Sequence, residues 1–203
     1  MDFNLSEQEL EVQKLARDFA NNEIAPVIAK YDESEEFPME IAQKMGEMGF
    51  LGIIFPEEYG GAGFTTTEYA IIIEEISKID PSVGLTVASH NGLCSNHIYS
   101  FGNDAIKKKY LPDLTSGKSL GAWGLTEAVS GSDAGGMATS AEKKNGHYII
   151  NGSKMFITQG TVGGTYVVTA KTDKTKGNKG ISAFVMEKGM KGFTHAPIKH
   201  KLG

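Results

Sequence analysis

Two short segments hold most of the residues whose types and spacing could do chemistry. The first is Trp123-Gly-Leu-Thr-Glu-Ala-Val-Ser-Gly-Ser-Asp-Ala-Gly-Gly136, and the second is Asn151-Gly-Ser-Lys-Met-Phe-Ile-Thr158. Each reads as a short strand ending in hydroxyl residues, and a Gly/Ser loop follows the first. Glycine lacks Cβ, so such a loop lets a flat ligand come close to backbone N–H groups. The hydroxyls of Thr126, Ser132 and Thr158 both donate and accept hydrogen bonds, which suits the polar edge of a planar ring. Glu127 lies inside the first segment. Its expected role is a structural carboxylate bonding to loop backbone rather than a general base.

Other chemistries find less support. His90 and His97 are seven residues apart and share one face of a predicted helix. Seven residues span about 10 Å of helix axis, too far for both to ligate one metal. His147, His195 and His200 are scattered, and no Cys/His or carboxylate cluster has ligand spacing, so no metal site is expected. Tyr59-Gly-Gly-Ala-Gly63 is not a dinucleotide fingerprint, since no Gly-x-Gly-x-x-Gly follows a strand and opens a helix. No Gly-x-Ser-x-Gly elbow is present, and Ser130-Gly-Ser-Asp133 has no evident histidine partner, which disfavours a hydrolase.

The whole chain narrows the options further. Its 203 residues suffice for a good core in one or two domains. A net charge of −5 argues against a nucleic-acid surface, which needs a basic face. The one basic run, Lys107-Lys108-Lys109, reads as a solvated helix face. Cys94 is the single cysteine, so no internal disulfide is expected, and its small apolar surroundings predict packing. No apolar run reaches the ~18 residues of a membrane span. The N-terminus has neither a basic n-region nor a long apolar h-region, so it does not read as a secretory signal.

The elements that position the two segments differ along the chain. Ser6-Glu-Gln-Glu9 fits a capping box, and Leu10, Leu15, Phe19 and Ile24 recur at near-helical spacing. One amphipathic helix is therefore expected to run to about Lys30, with Pro26 kinking or ending it. Tyr31 to Phe37 reads as a loop, and Pro38 suits the first position of a second helix. Phe50-Leu-Gly-Ile-Ile-Phe55 is a short apolar run closed by Pro56. Thr67 to Lys78 returns to helix with Tyr69, Ile72, Ile73 and Ile76 on one face, and Glu74 and Glu75 are expected at solvent or a subunit contact. Pro81 opens a nearly all-apolar helix through Tyr99, which predicts burial. Asp104 is expected to cap a last helix, Ala105 to about Ser116.

From Gly117 onward serine, threonine, glycine and β-branched residues dominate. Asn145-Gly146 between β-prone runs signals a hairpin. Tyr166 to Ala170 and Ile181 to Met186 read as strands joined by the charged loop Lys171 to Lys179, and Phe193 to Ile198 reads as one more. Helices followed by strands predict an α+β fold: an all-helical domain over residues 1–117 and a β-sheet or barrel-like domain over 118–203. The chain ends at Gly203 directly after a strand-like run, which reads as an incomplete ending.

Taken together, the chain from Phe3 to Gly203 resembles the N-terminal helical and middle β domains of acyl-CoA dehydrogenases. Leu125-Thr-Glu-Ala-Val-Ser-Gly-Ser-Asp-Ala134 is similar to that family's Leu-Thr-Glu-Pro-Gly-Ala-Gly-Ser-Asp motif. Asn151-Gly-Ser-Lys-Met-Phe-Ile-Thr158 is similar to Asn-Gly-x-Lys-x-Trp-Ile-Thr. Pro56-Glu-Glu-Tyr-Gly-Gly61 and Lys108-Lys-Tyr-Leu-Pro112 are weaker matches in the same order. Two departures stand out: Ala128-Val129 replaces Pro-Gly, and Phe156 replaces the common Trp.

The resemblance implies FAD bound in extended form. Trp123, Leu125 and Thr126 would contact the flavin, with the Leu125 backbone and Thr126 hydroxyl on its polar edge. Phe156, Ile157 and Thr158 would form a second wall, with Thr158 near N5. Ser132 would bond near the pyrophosphate or the acyl-CoA, and Asn178 would lie toward the CoA end. The implied reaction is α,β-dehydrogenation of an acyl-CoA thioester, with electrons passing to an electron-transfer flavoprotein. The catalytic base is expected beyond Gly203, so none is assigned here. The family further implies a homotetramer, in a bacterial cytoplasm or, after loss of a leader, the mitochondrial matrix. Two alternatives stay open: an acyl-CoA oxidase or flavin monooxygenase of the same fold, and a binding or assembly module without turnover.

Overall fold

The computed structural model describes residues 4–199. Seven helices precede five strands, giving an α+β architecture among the described residues. Helix α1 (Glu7–Phe19) starts at the expected capping box: Ser6 Oγ accepts from the Glu9 amide, and the Glu9 carboxylate accepts from the Ser6 amide at 2.7 Å. The helix does not continue to Lys30. It widens into a π-helical turn, Ala20–Ile24, and stops before α2 (Ile28–Ser34). Pro26 carries no N–H and cannot extend the ladder. Helix α2 covers Tyr31 to Ser34, where the polar sequence reads as a loop; it ends at Glu35, which adopts a left-handed φ of 55°.

Pro38 is the N-cap of α3 (Met39–Glu47), one residue earlier than its expected place. The Phe50–Phe55 run forms turns rather than a regular element, yet Phe50, Leu51, Ile53 and Phe55 are all buried. Buried backbone without a ladder needs other partners. Asn91 supplies them: its amide donates to Phe50 O at 2.9 Å, and its Oδ1 accepts from the Ile53 amide at 3.0 Å.

Helix α4 (Thr66–Ile79) opens with a second capping box, Thr65 with Glu68. Glu75 departs from expectation. It is buried, not solvent-facing, and the Arg17 guanidinium grips it through Nε at 3.0 Å and Nη2 at 3.1 Å. Glu74 is exposed as expected and pairs with Lys78. Helix α5 (Pro81–Ser89) runs through a π-helical turn, His90–Ser95, into α6 (Asn96–Phe101). Helix α7 (Asp104–Thr115) is capped by Asn103 rather than Asp104, because the Asn103 Oδ1 accepts from the Ile106 amide.

The sheet is built on β4 (Thr165–Lys171), which is almost wholly buried. Strand β1 (Gly121–Gly124) pairs with it in parallel, and β5 (Ile181–Glu187) pairs antiparallel on the other side. Strands β2 (Ser140–Lys144) and β3 (His147–Asn151) form the hairpin, joined to β4 at Ser140 and Lys171. Asn145 and Gly146 both have positive φ, 51° and 82°, as a two-residue type I′ turn requires. Residues 193–198 are not a strand; Phe193 instead stacks edge-on against Tyr166, with ring centroids 4.7 Å apart.

The halves are joined through buried contacts. Cys94 lies so close to Gly121 that a Cβ there would collide with the thiol, so only glycine lets β1 approach the π-helical turn. Burial pushes the Cys94 thiol up to about 12, as suits packing rather than reactivity. Lys109 and Tyr110 both reach Glu187 on β5, at 2.6 and 2.7 Å. The basic run therefore also staples helix to sheet.

Candidate functional site

Strand β1 ends at Gly124, and its continuation meets the loop after β3 at a small cleft. The cleft, of about 180 Å³, is lined by Ser89, Leu93, Trp123, Leu125, Thr126, Phe156, Ile157 and Thr158. Residues from the two motifs thus converge although about thirty positions separate them. The second motif reaches the cleft as loop, not as the expected strand, since β3 stops at Asn151.

Backbone and side-chain bonds fix this meeting. The Met155 amide donates to Thr126 O at 2.9 Å. Lys154 Nζ donates to Leu125 O at 3.0 Å and to Glu127 Oε1 at 2.8 Å. Glu127 also accepts from the Ala138 and Thr139 amides, at 2.6 and 3.1 Å. Burial alone would raise the Glu127 carboxyl, but the Lys154 ammonium and these amides outweigh it and hold it at about 2. A carboxylate so firmly ionised and bonded is structural, as expected, and is a poor acceptor for a substrate proton.

The cleft itself has apolar walls and free polar atoms. Trp123, Leu125, Phe156 and Ile157 give flat or aliphatic surface, and Phe156 is 69% exposed at the rim. The hydroxyls of Thr126 and Thr158 are only partly buried, and neither bonds to another described residue. The Trp123 indole N–H is buried without a partner, and buried donors are normally satisfied. Aromatic and aliphatic faces plus unpaired donors fit a flat heteroaromatic ring with a polar edge, and so fit a flavin.

Phe156 adopts a left-handed φ of 57°, and Gln159 one of 61°. Non-glycine residues held there cost of order 1–3 kcal/mol each and cluster at functional sites. The two strained positions bracket Ile157 and Thr158.

Two of the eight sequence-assigned residues lie away from the cleft. Ser132 is exposed on the Gly/Ser loop. Asn178 is exposed on the charged loop and sits against Gly135, where a Cβ would meet its amide. Asn178 therefore adjoins the Gly/Ser loop that carries Ser132, and both stand apart from the ring-sized cleft.

Sequence reasoning missed Ser89 and Leu93, which enter from the helical half, because neither belongs to a motif and nothing local pairs them with residues thirty or more positions away. His90, next to Ser89, is completely buried. Its Nε2–H donates to Leu114 O and its Nδ1 accepts from the Gly121 amide, both at 3.0 Å. Burial lowers this imidazole to about 4, so it stays neutral in that one tautomer. His97 lies between Phe101 and Trp123, at ring distances of 5.0 and 6.4 Å. Among the described residues no group of three or more His, Cys, Asp or Glu could hold a metal ion, and no helix is long and apolar enough to cross a membrane.

This helical half, packed on a sheet with a cleft at their junction, corresponds to a known pair of domains. Residues 6–118 match the acyl-CoA dehydrogenase N-terminal domain, and residues 122–203 match the acyl-CoA dehydrogenase middle domain. The chain belongs to the acyl-CoA dehydrogenase family.

Individual relatives are similar throughout. The short-chain-specific acyl-CoA dehydrogenase of Clostridium acetobutylicum is 48% identical over 203 residues, covering 100% of this chain and 54% of that protein. A solved structure described as the electron transferring flavoprotein of Acidaminococcus fermentans superposes with TM-score 0.97 at 45% identity, over 100% of this chain and 53% of that one. A structure of PigA with FAD and proline superposes with TM-score 0.89 at 31% identity, over 95% of this chain and 51% of that one. The chain spans about half the length of the curated relatives it matches.

Proposed function

We propose that this chain supplies the flavin-binding wall of an FAD-dependent acyl-CoA dehydrogenase, which converts an acyl-CoA thioester to the trans-2-enoyl-CoA. The observation that carries the reading is the convergence of Thr126 and Thr158 on one cleft, with both hydroxyls unpaired. When bound, FAD supplies a hydride acceptor at N5. In this reading the Leu125 backbone and the Thr126 hydroxyl bond the ring's polar edge, where preorganised donors stabilise the charge that reduction brings. Thr158 stands near N5, Trp123 contacts the ring, and Phe156 and Ile157 wall its other side. Ser132 serves the pyrophosphate or the acyl-CoA, and Asn178, beside the same loop, serves the CoA end.

Glu127 is committed to Lys154 and two amides. As the family resemblance implies, the base that removes the α-proton is assigned to the part of the family's length that this chain does not span. Residues 1–117 and 118–203 act as two domains in this scheme. Electrons pass to an electron-transfer flavoprotein, and the working assembly is a cytoplasmic homotetramer.

The test is FAD titration followed by anaerobic addition of short straight-chain acyl-CoA to the FAD-loaded protein. FAD is expected to bind, weakly if the chain is alone, and the flavin band to bleach once the missing base is supplied by the full family length. Absence of any FAD binding defeats the proposal. Fast reoxidation of the reduced protein by O₂ would reassign it to the oxidases or monooxygenases of the same fold.

A further inference from the structure

Gln159 follows Thr158 directly and occupies a conformation that glycine adopts freely and glutamine does not. Its φ is 61° and its side chain is buried. The backbone reason for that angle is a tight turn: Gln159 O accepts from the amides of Val162 and Gly163, at 3.2 and 2.7 Å. Glycine would make this turn without cost, and Gly160 is the very next residue. The glutamine side chain must therefore add something the turn does not need.

That side chain crosses to the helical half. Its Nε2 donates to Thr86 O at 3.1 Å, and its Oε1 accepts from Ser89 Oγ at 3.2 Å. Both partners lie on α5, about seventy residues earlier in the chain, and Ser89 lines the cleft. Among the described residues of the 152–164 loop, only Gln159 hydrogen-bonds to α5. Thr86 O also accepts from the His90 amide, so the helix does not depend on Gln159 for its own ladder.

We propose that Gln159 is a positioning residue that tethers the strained Phe156–Thr158 segment to α5, fixing the two walls of the cleft relative to each other. The inference rests on the flavin reading above. It adds that the geometry of the second wall is set from the helical half, by a side chain that does not touch the ring.

Two variants separate tether from turn. Gln159→Met keeps side-chain length and backbone angle but removes both bonds. Gln159→Gly supplies the angle freely and removes the tether. Both are expected to fold but to melt a few degrees below the wild type, since two internal hydrogen bonds are lost, to bind FAD roughly tenfold more weakly because the second wall is no longer preorganised, and to show a broadened flavin absorption band. A wild type that does not bind FAD sinks the flavin reading itself. A wild type that binds, with both variants equal to it in affinity and band shape, overturns the tether alone.

Should neither variant fold, Ser89→Ala decides, because it leaves the loop sequence intact and removes one of the two bonds. A weaker shift of the same kind supports the tether, and an unchanged affinity and band overturn it. In variants that fold, adding Ser89→Ala to Gln159→Met should have no further effect, since the two act through one contact. Additive losses overturn the proposal.

Discussion

Each half of the molecule buries one carboxylate against cations brought from elsewhere in the chain, but the two sites differ in access to water. Glu75 ties α4 to α1 through Arg17 and also pairs with Lys78 of its own helix; these two side chains are 50% and 51% exposed. Glu127 sits beneath the cleft with Lys154, whose side chain is 9% exposed. Glu75 has two cations, both open to solvent, so loss of either leaves a partner and lets water approach. Glu127 has one cation within bonding distance, and that cation also holds Leu125 O. The same charge pairing is thus tolerant in the helical half and brittle under the site.

The comparison breaks most sharply at Lys154. Lys154→Met leaves Glu127 buried with its two amide bonds but without a counter-ion, and removing one partner of a buried pair costs about 3–5 kcal/mol. Chemical denaturation should show that loss, together with weaker FAD binding as the Leu125 loop loosens. A change below about 1 kcal/mol would place Glu127 in the tolerant class with Glu75.

Acid sharpens the contrast next. The Glu127 carboxyl lies at about 2, below its ordinary value of 4.5, so its contribution is complete above about pH 4.5 and is lost as pH falls toward 2. In Lys154→Met one of the groups that lower the carboxyl is lost while the Ala138 and Thr139 amides remain, so the carboxyl is less depressed than in the wild type. The stability gap between variant and wild type should therefore narrow as pH falls through the carboxylate range toward 2, where the wild type loses its own contribution. A gap independent of pH would show that Lys154 acts through packing rather than charge.

Arg17→Met should cost clearly less than Lys154→Met, because Lys78 remains at 2.8 Å from the same carboxylate and water can reach the site. A loss as large as that of Lys154→Met would erase the distinction between the halves. Thr126→Val should have the smallest effect on folding, since the hydroxyl bonds to no described residue. Its effect belongs to the ligand: weaker FAD binding or slower flavin reduction, read by titration and stopped-flow bleaching.

Much of this was legible in the residues. The capping box at Ser6, the Asn145-Gly146 hairpin and the strands around Val167 and Phe184 follow from local chemistry that tertiary packing did not override. The two motifs were visible as motifs, and Glu127 was read correctly as structural. What failed had non-local causes. Glu75 reads as a surface residue until Arg17, 58 positions away, is folded onto it. Tyr31 to Ser34 read as loop because polar composition and a helical backbone are compatible on an exposed face. Phe193 to Ile198 read as strand because β-prone residues cannot reveal that they lack a pairing partner. Gln159 gave no signal, since a positive φ is invisible in a residue type that rarely adopts one.

Strand β4 is the common neighbour of β1, β2 and β5, while β3 is held by β2 alone. The sheet is therefore wired like a hub with one dangling spoke. Amide protons at Val167 and Val168 should exchange with deuterium only when the whole sheet opens. Those at Tyr148 and Ile149 should escape whenever the outer hairpin frays, leaving the cleft's floor undisturbed.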